Sequence, residues 1–98
     1  MKFKKTEDGH ILSFDIYGSG FVLLDGITPT FIPEEGTGYI GFAFPDSDEV
    51  VARFHEYYSG ADVPARMFAG AVRTLRFKMF EAKHGQQKKG EEQHGQRE

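Results

Sequence analysis

Cysteine is absent from all 98 residues. A secreted domain this small ordinarily leans on disulfides, so the absence points to an intracellular setting. No stretch approaches the roughly 18 apolar residues of a membrane-spanning helix. The start of the chain, Met1-Lys2-Phe3-Lys4-Lys5, has the charge of a signal peptide without the apolar run that should follow. A cytoplasmic protein with no membrane partner is therefore expected. Residues 84–98 contain no aliphatic or aromatic side chain, so nothing there offsets the entropy of ordering a backbone. They read as a disordered polar tail, and residues 1–83 as one small domain.

Cations are also in deficit. Twelve Lys/Arg stand against fifteen Asp/Glu, a net charge of −3, which counts against a dedicated nucleic-acid binder. The distribution says more than the sum. Residues 1–62 hold four Lys/Arg against eleven Asp/Glu, residues 63–83 five against one, and the tail three against three. A basic segment on an acidic body polarises the molecule, and such a field steers partners.

What is abundant is phenylalanine, with ten residues, each burying a large apolar area. Tyr39 to Phe44 is the clearest strand, with Ile40, Phe42 and Phe44 on one face and Tyr39, Gly41 and Ala43 on the other. Glu34 to Gly38 before it reads as a hairpin loop, and Thr28 to Ile32 as an extended piece that Pro29 confines to an entry or an edge. Phe21 to Leu24 is an apolar run closed by Asp25-Gly26 and reads as a buried strand. Gly18-Ser19-Gly20 reads as a break. Ile11 to Tyr17 fits either a strand, through Leu12, Phe14 and Ile16, or a short helix.

Two helices follow. Asp46 with Glu49 three residues on forms a capping-box-like pair. Val50, Val51, Phe54, Tyr57 and Tyr58 then mark one apolar face, and Gly60 ends the helix. The second begins near Asp62-Val63-Pro64, presents Phe68, Ala71, Val72, Leu75 and Met79 to the core, and is expected to end near Lys83. The predicted fold is α+β: a small antiparallel sheet of two or three strands, then two C-terminal helices packed on one face. Phe54 and Tyr58 from the first helix, and Phe68, Val72 and Leu75 from the second, are expected to meet Ile40, Phe42 and Phe44.

The second helix carries the most informative pattern. At about 100° per residue, Arg66, Arg73, Arg76 and Lys83 fall on one stripe away from the core face, and Phe77 and Phe80 fall within it. A helix that only covers a core has no use for two Phe on its basic side. Three readings compete. The stripe is a second packing surface inside the fold, such as the N-terminal segment folding over the helix; or it holds a protein partner or a second copy, with Phe anchors among Arg; or it binds nucleic acid, with Arg on phosphates and Phe stacked on bases.

Catalytic signals are weak. His55 and Glu56 are helix neighbours that diverge by about 100°, and His10 meets Asp15 only if the first segment bends. The short Gly-rich loops open no helix as phosphate loops do. Asp46 and Asp48 lack an EF-hand continuation, and the tail's His84 and His94 have no fixed geometry for a metal. A non-enzymatic protein without cofactor or metal is expected.

Taken together, the chain from about Ile11 to Glu81 resembles a family of small bacterial and phage proteins known only as a domain of unknown function. The resemblance rests on Gly20-Phe21, on Phe42-Ala43-Phe44 leading into Asp46-Ser47-Asp48-Glu49, on Tyr57-Tyr58-Ser59-Gly60, and on Val63-Pro64, Phe68 and Arg73-Thr74-Leu75-Arg76. It implies a compact fold and an origin linked to phages or mobile elements, and it brings no known activity.

Overall fold

The computed structural model describes residues 3–91, with side chains described for residues 3–84. The elements run β1 (Phe3–Lys5), β2 (His10–Ser13), α1 (Ile16–Leu23), β3 (Thr30–Pro33), β4 (Ile40–Pro45), α2 (Asp48–Tyr58) and α3 (Ala65–Glu91). The four strands form one antiparallel sheet in the order β1-β2-β4-β3. The fold is thus α+β, as predicted, with one strand more than the upper estimate and a helix between β2 and β3.

That helix is the main correction. Gly18-Ser19-Gly20 is no break, and Phe21 to Leu24 is no strand: both belong to the helical stretch that ends at the C-cap Leu24. Asp15 starts α1 from an extended backbone, and its Oδ1 accepts from the Tyr17 N–H at 3.0 Å. Gly26, at φ 82°, supplies the left-handed residue beyond the end. Two glycines cost a helix about 1 kcal/mol each, and close packing is what offsets them. A Cβ on Gly18 would stand 3.0 Å from the Tyr58 Oη and 3.3 Å from the Phe54 ring; one on Gly20 would stand 3.0 Å from the Val72 Cγ2. Ser19, between them, is fully buried. α1 therefore presses against α2 through Gly18 and against α3 through Gly20, and its ends are tied by rings from all three helices. Tyr17 and Tyr57 lie 6.4 and 6.1 Å from Phe68, and Phe21 lies 5.8 Å from Tyr57. Phe68 joins this cluster instead of the sheet-facing core.

The ladder register explains the core. Phe3, Ser13, Phe42 and Phe31 stand in one row across the sheet, and Ile11 stands beside Phe44 in the next. This face is the one the helices cover, with Ile11, Val22, Phe42, Phe44, Val50, Phe54 and Leu75 forming the buried cluster. Phe44 meets Phe54 edge-on at 5.7 Å. β1, which the sequence pattern does not reveal, adds Phe3, stacked on Phe54 at 4.9 Å.

Two helix ends also differ from expectation. Ser47, not Asp46, caps α2, its Oγ accepting from the Val50 N–H at 3.2 Å. Asp46 instead pairs with Lys5 at 3.6 Å. α3 continues to Glu91, past the expected end at Lys83 and into the segment expected to be tail. The rest of that segment, residues 92–98, lies outside the described residues. At about 1.5 Å per residue, the 27 residues of α3 reach roughly 40 Å, well beyond Met79, the last of the described residues packed on the core cluster.

Two substitutions of opposite sign test this packing. Gly20→Leu forces a side chain into Val72 and should cost at least about 1–3 kcal/mol. A Cβ on Gly70, in α3, would meet nothing within 4 Å, so Gly70→Ala should stabilise by up to about 1 kcal/mol. Denaturant melts of both variants check this, and a Gly20→Leu protein as stable as wild type would contradict the placement of α1.

Candidate functional site

The predicted stripe is built as the helical period requires. With Ala71, Val72 and Leu75 buried, Arg66, Arg73, Arg76, Phe77 and Phe80 stand exposed on the far side of α3, and Lys83 is exposed as well. Phe77 is 61% exposed and Phe80 57%. Among the described residues no ion pair or hydrogen bond engages Arg66, Arg73 or Arg76. The Phe80 ring lies 4.0 Å from the His84 ring, one turn on.

The structure separates one residue from the others. Lys83 lines a groove of about 460 Å³ with Pro33, Glu34, Glu35, Gly36 and Tyr39, at the β3–β4 hairpin. The idea that the N-terminal segment folds over the stripe is overturned. β1 pairs with β2, and Phe3 is committed to Phe54 and, edge-on at 5.6 Å, to His55.

A second surface is not evident from the sequence pattern. The sheet face away from the helices carries Leu12 beside Ala43 in one row and Ile32 beside Gly41 in the next. Leu12 and Phe14 lie over Gly41, where a Cβ would come within 2.9 Å of Leu12 and 3.0 Å of Phe14. Glycine is what lets those two side chains lie down on the strand. Phe14 is 46% exposed, Ile32 43% and Tyr39, at the end of the face, 67%. An open groove of about 760 Å³ continues from it, lined by Phe3, Lys4, Leu12, Phe14, Asp15, Ile16 and Tyr17. The outer face of a half-covered sheet is ordinarily polar; here the Leu12 row is polar only at its two edges, through Lys4 and Thr30. The signal in the sequence is the alternation of Leu12 and Phe14, which Ile11 and Ile16 obscure.

The titratable groups pair locally. His10 Nδ1 lies 3.3 Å from Asp8 on the β1–β2 turn. The Thr6 hydroxyl, then His10, hold the Asp8 carboxyl below its usual range. Asp15 partners Tyr58, not His10: Tyr58 Oη donates to its Oδ2 at 2.6 Å. Burial, then this bond and the Asp15 charge, push the Tyr58 hydroxyl well above its ordinary pKa; burial and Asp15 raise Tyr57 as well. Arg53 ties α2 to the turn after α1 through Asp25 at 2.9 Å, and it also contacts Glu56. Among the described residues, no three His, Asp or Glu side chains gather closely enough to hold a metal ion, and no helix is long and apolar enough to cross a membrane.

A comparison with protein families, curated proteins and solved structures finds no match to this chain.

The Asp15–Tyr58 bond has a pH signature. A tyrosine raised in the folded state contributes stability that is complete below its unfolded pKa of about 10 and is lost as pH rises toward the folded value. The melting temperature should fall between about pH 10 and 11, and less steeply in Tyr58→Phe. At neutral pH that variant should lose about 1.5–3 kcal/mol, the worth of a hydrogen bond to a carboxylate. Identical slopes above pH 10 in both proteins would contradict the assignment.

Proposed function

We propose that this protein is a non-enzymatic interaction module that holds a protein partner, a different chain or a second copy, through Arg66, Arg73, Arg76, Phe77 and Phe80. The exposure of Phe77 and Phe80 carries this reading. Each ring left in water forgoes roughly 1.5–3 kcal/mol of burial, and aromatic anchors among Arg are what protein interfaces use. Lys83, at the hairpin groove, stands outside this set. A cytoplasmic setting and an origin in a phage or mobile element fit the same reading.

A second reading is favoured by the three unpartnered guanidinium groups beside exposed rings: an accessory protein that binds nucleic acid through the same stripe. The acidic remainder of the chain weighs against it.

Salt separates the two. Three phosphate contacts would cost roughly 40-fold in affinity between about 50 and 200 mM salt, whereas a Phe-anchored protein contact changes little. Labelled single-stranded and duplex DNA should be titrated into wild type at both salts. Proteins should be captured in parallel on wild type and on Phe77→Ser/Phe80→Ser. The proposal expects no DNA binding at the higher salt, and captured proteins that the variant loses. DNA binding with the steep salt dependence would overturn it in favour of the second reading.

A further inference from the structure

Both edges of the sheet are blocked against added strands. β1 is only three residues long and carries Lys4 and Lys5, while β3 ends in Pro33 and is preceded by Pro29. Lysine and proline are the usual means of blunting an edge. Between Lys4 and Thr30 at these edges the face is open and apolar, through Leu12, Phe14 and Ile32. What packs on such a face is a helix with an apolar side or another sheet.

The chain itself carries a helix with an unpartnered apolar side. Resting on the proposed role of α3, we infer that α3 of one copy docks on the bare sheet face of a second copy, placing Phe77 and Phe80 on Leu12, Phe14 and Ile32. The charges complement each other at the two ends of the face. It is bounded by exposed Glu34 and Glu35 at the β3–β4 hairpin and by exposed Glu7 and Asp8 at the β1–β2 turn, Lys4 stands apart at the β1 edge in the Leu12 row, and the incoming helix brings Arg66, Arg73 and Arg76. The lengths match as well. Arg66 to Phe80 spans roughly 21 Å at 1.5 Å per residue; Tyr39 to Pro45 spans roughly 20 Å at 3.4 Å per residue. The alternative of two α3 helices meeting face to face sets Arg73 and Arg76 of one copy near cations of the other, which costs rather than stabilises.

The two surfaces differ and lie on opposite sides of the molecule, so the contact is head-to-tail and adds copies in succession instead of closing at a dimer. That geometry gives the test its discrimination. Phe80→Glu spoils the helix and leaves the sheet face intact; Ile32→Glu does the reverse. Sedimentation of the full chain over a wide concentration range should show wild type growing past a dimer and each variant alone staying monomeric. An equimolar mixture of the two should form a one-to-one dimer that grows no further, because a single intact pair of surfaces remains. Phe77→Glu and Tyr39→Glu serve as second variants on each surface, and circular dichroism checks that all four are folded. A monomeric wild type would overturn the inference and leave the proposed role of α3 standing with a different partner. Two folded monomeric variants that do not rescue each other would overturn it in favour of like-with-like pairing. Dissociation by Phe80→Glu but not by the sheet variants would place the partner of α3 elsewhere. Association that survives all four variants would remove both this inference and the role of α3.

Discussion

The close approach of α1 to its two neighbouring helices sets where everything else in the molecule lies. With only hydrogen at Gly18 and Gly20, the α1 backbone comes within contact distance of Tyr58 and Phe54 on one side and Val72 on the other. A small-residue seam of this kind brings helix axes closer than ordinary side chains allow. It gathers all three helices into one layer on one face of the sheet. The core then forms between that layer and the row of Phe3, Phe42 and Phe31, with Ile11 and Phe44 beside it. Because Gly20 holds Val72, the azimuth of α3 is settled, and its Arg and Phe stripe can only face outward.

The same arrangement leaves the opposite face of the sheet uncovered. Leu12, Phe14 and Ile32 remain on a surface that the helical layer does not cover, and Gly41 lets two of them lie flat against it. Two apolar surfaces thus persist on a small molecule, one basic and convex on α3, the other bordered by carboxylates on the sheet. The edges of β1 and β3, short and lysine-bearing or flanked by proline, offer no comparable surface to an added strand. The polarity seen along the chain becomes a polarity across the folded body, which is the condition for electrostatic steering.

Much of this is legible in the residues, and the failures have physical causes. β4, α2 and the core face of α3 announce themselves because their large apolar residues recur on one side at a clean period of 2 or 3.6. α1 does not, because a helix buried on nearly all sides has no polar face to reveal its period, and its glycines imitate a turn. β1 is three residues with two lysines, and only pairing with β2 makes it a strand. Asp46 reads as the cap of α2 because Asp and Ser are interchangeable there by type; the helix starts one residue later, so Ser47 caps it and Asp46 is left to face Lys5. The α3 stripe is readable from helical spacing alone. The detachment of Lys83 and the apolar sheet face are not, since each depends on segments brought together only by the fold.

The claim on which the rest stands is that residues 16–23 are a helix wedged against α2 and α3. The most direct measurement is a set of nuclear Overhauser contacts from the α-protons of Gly18 and Gly20 in the isotopically labelled protein. The account predicts contacts from Gly18 to the Tyr58 and Phe54 rings and from Gly20 to the Val72 methyls, with helical medium-range contacts throughout α1. Extended-chain contacts across residues 21–24, with no signal between Gly20 and Val72, would contradict it.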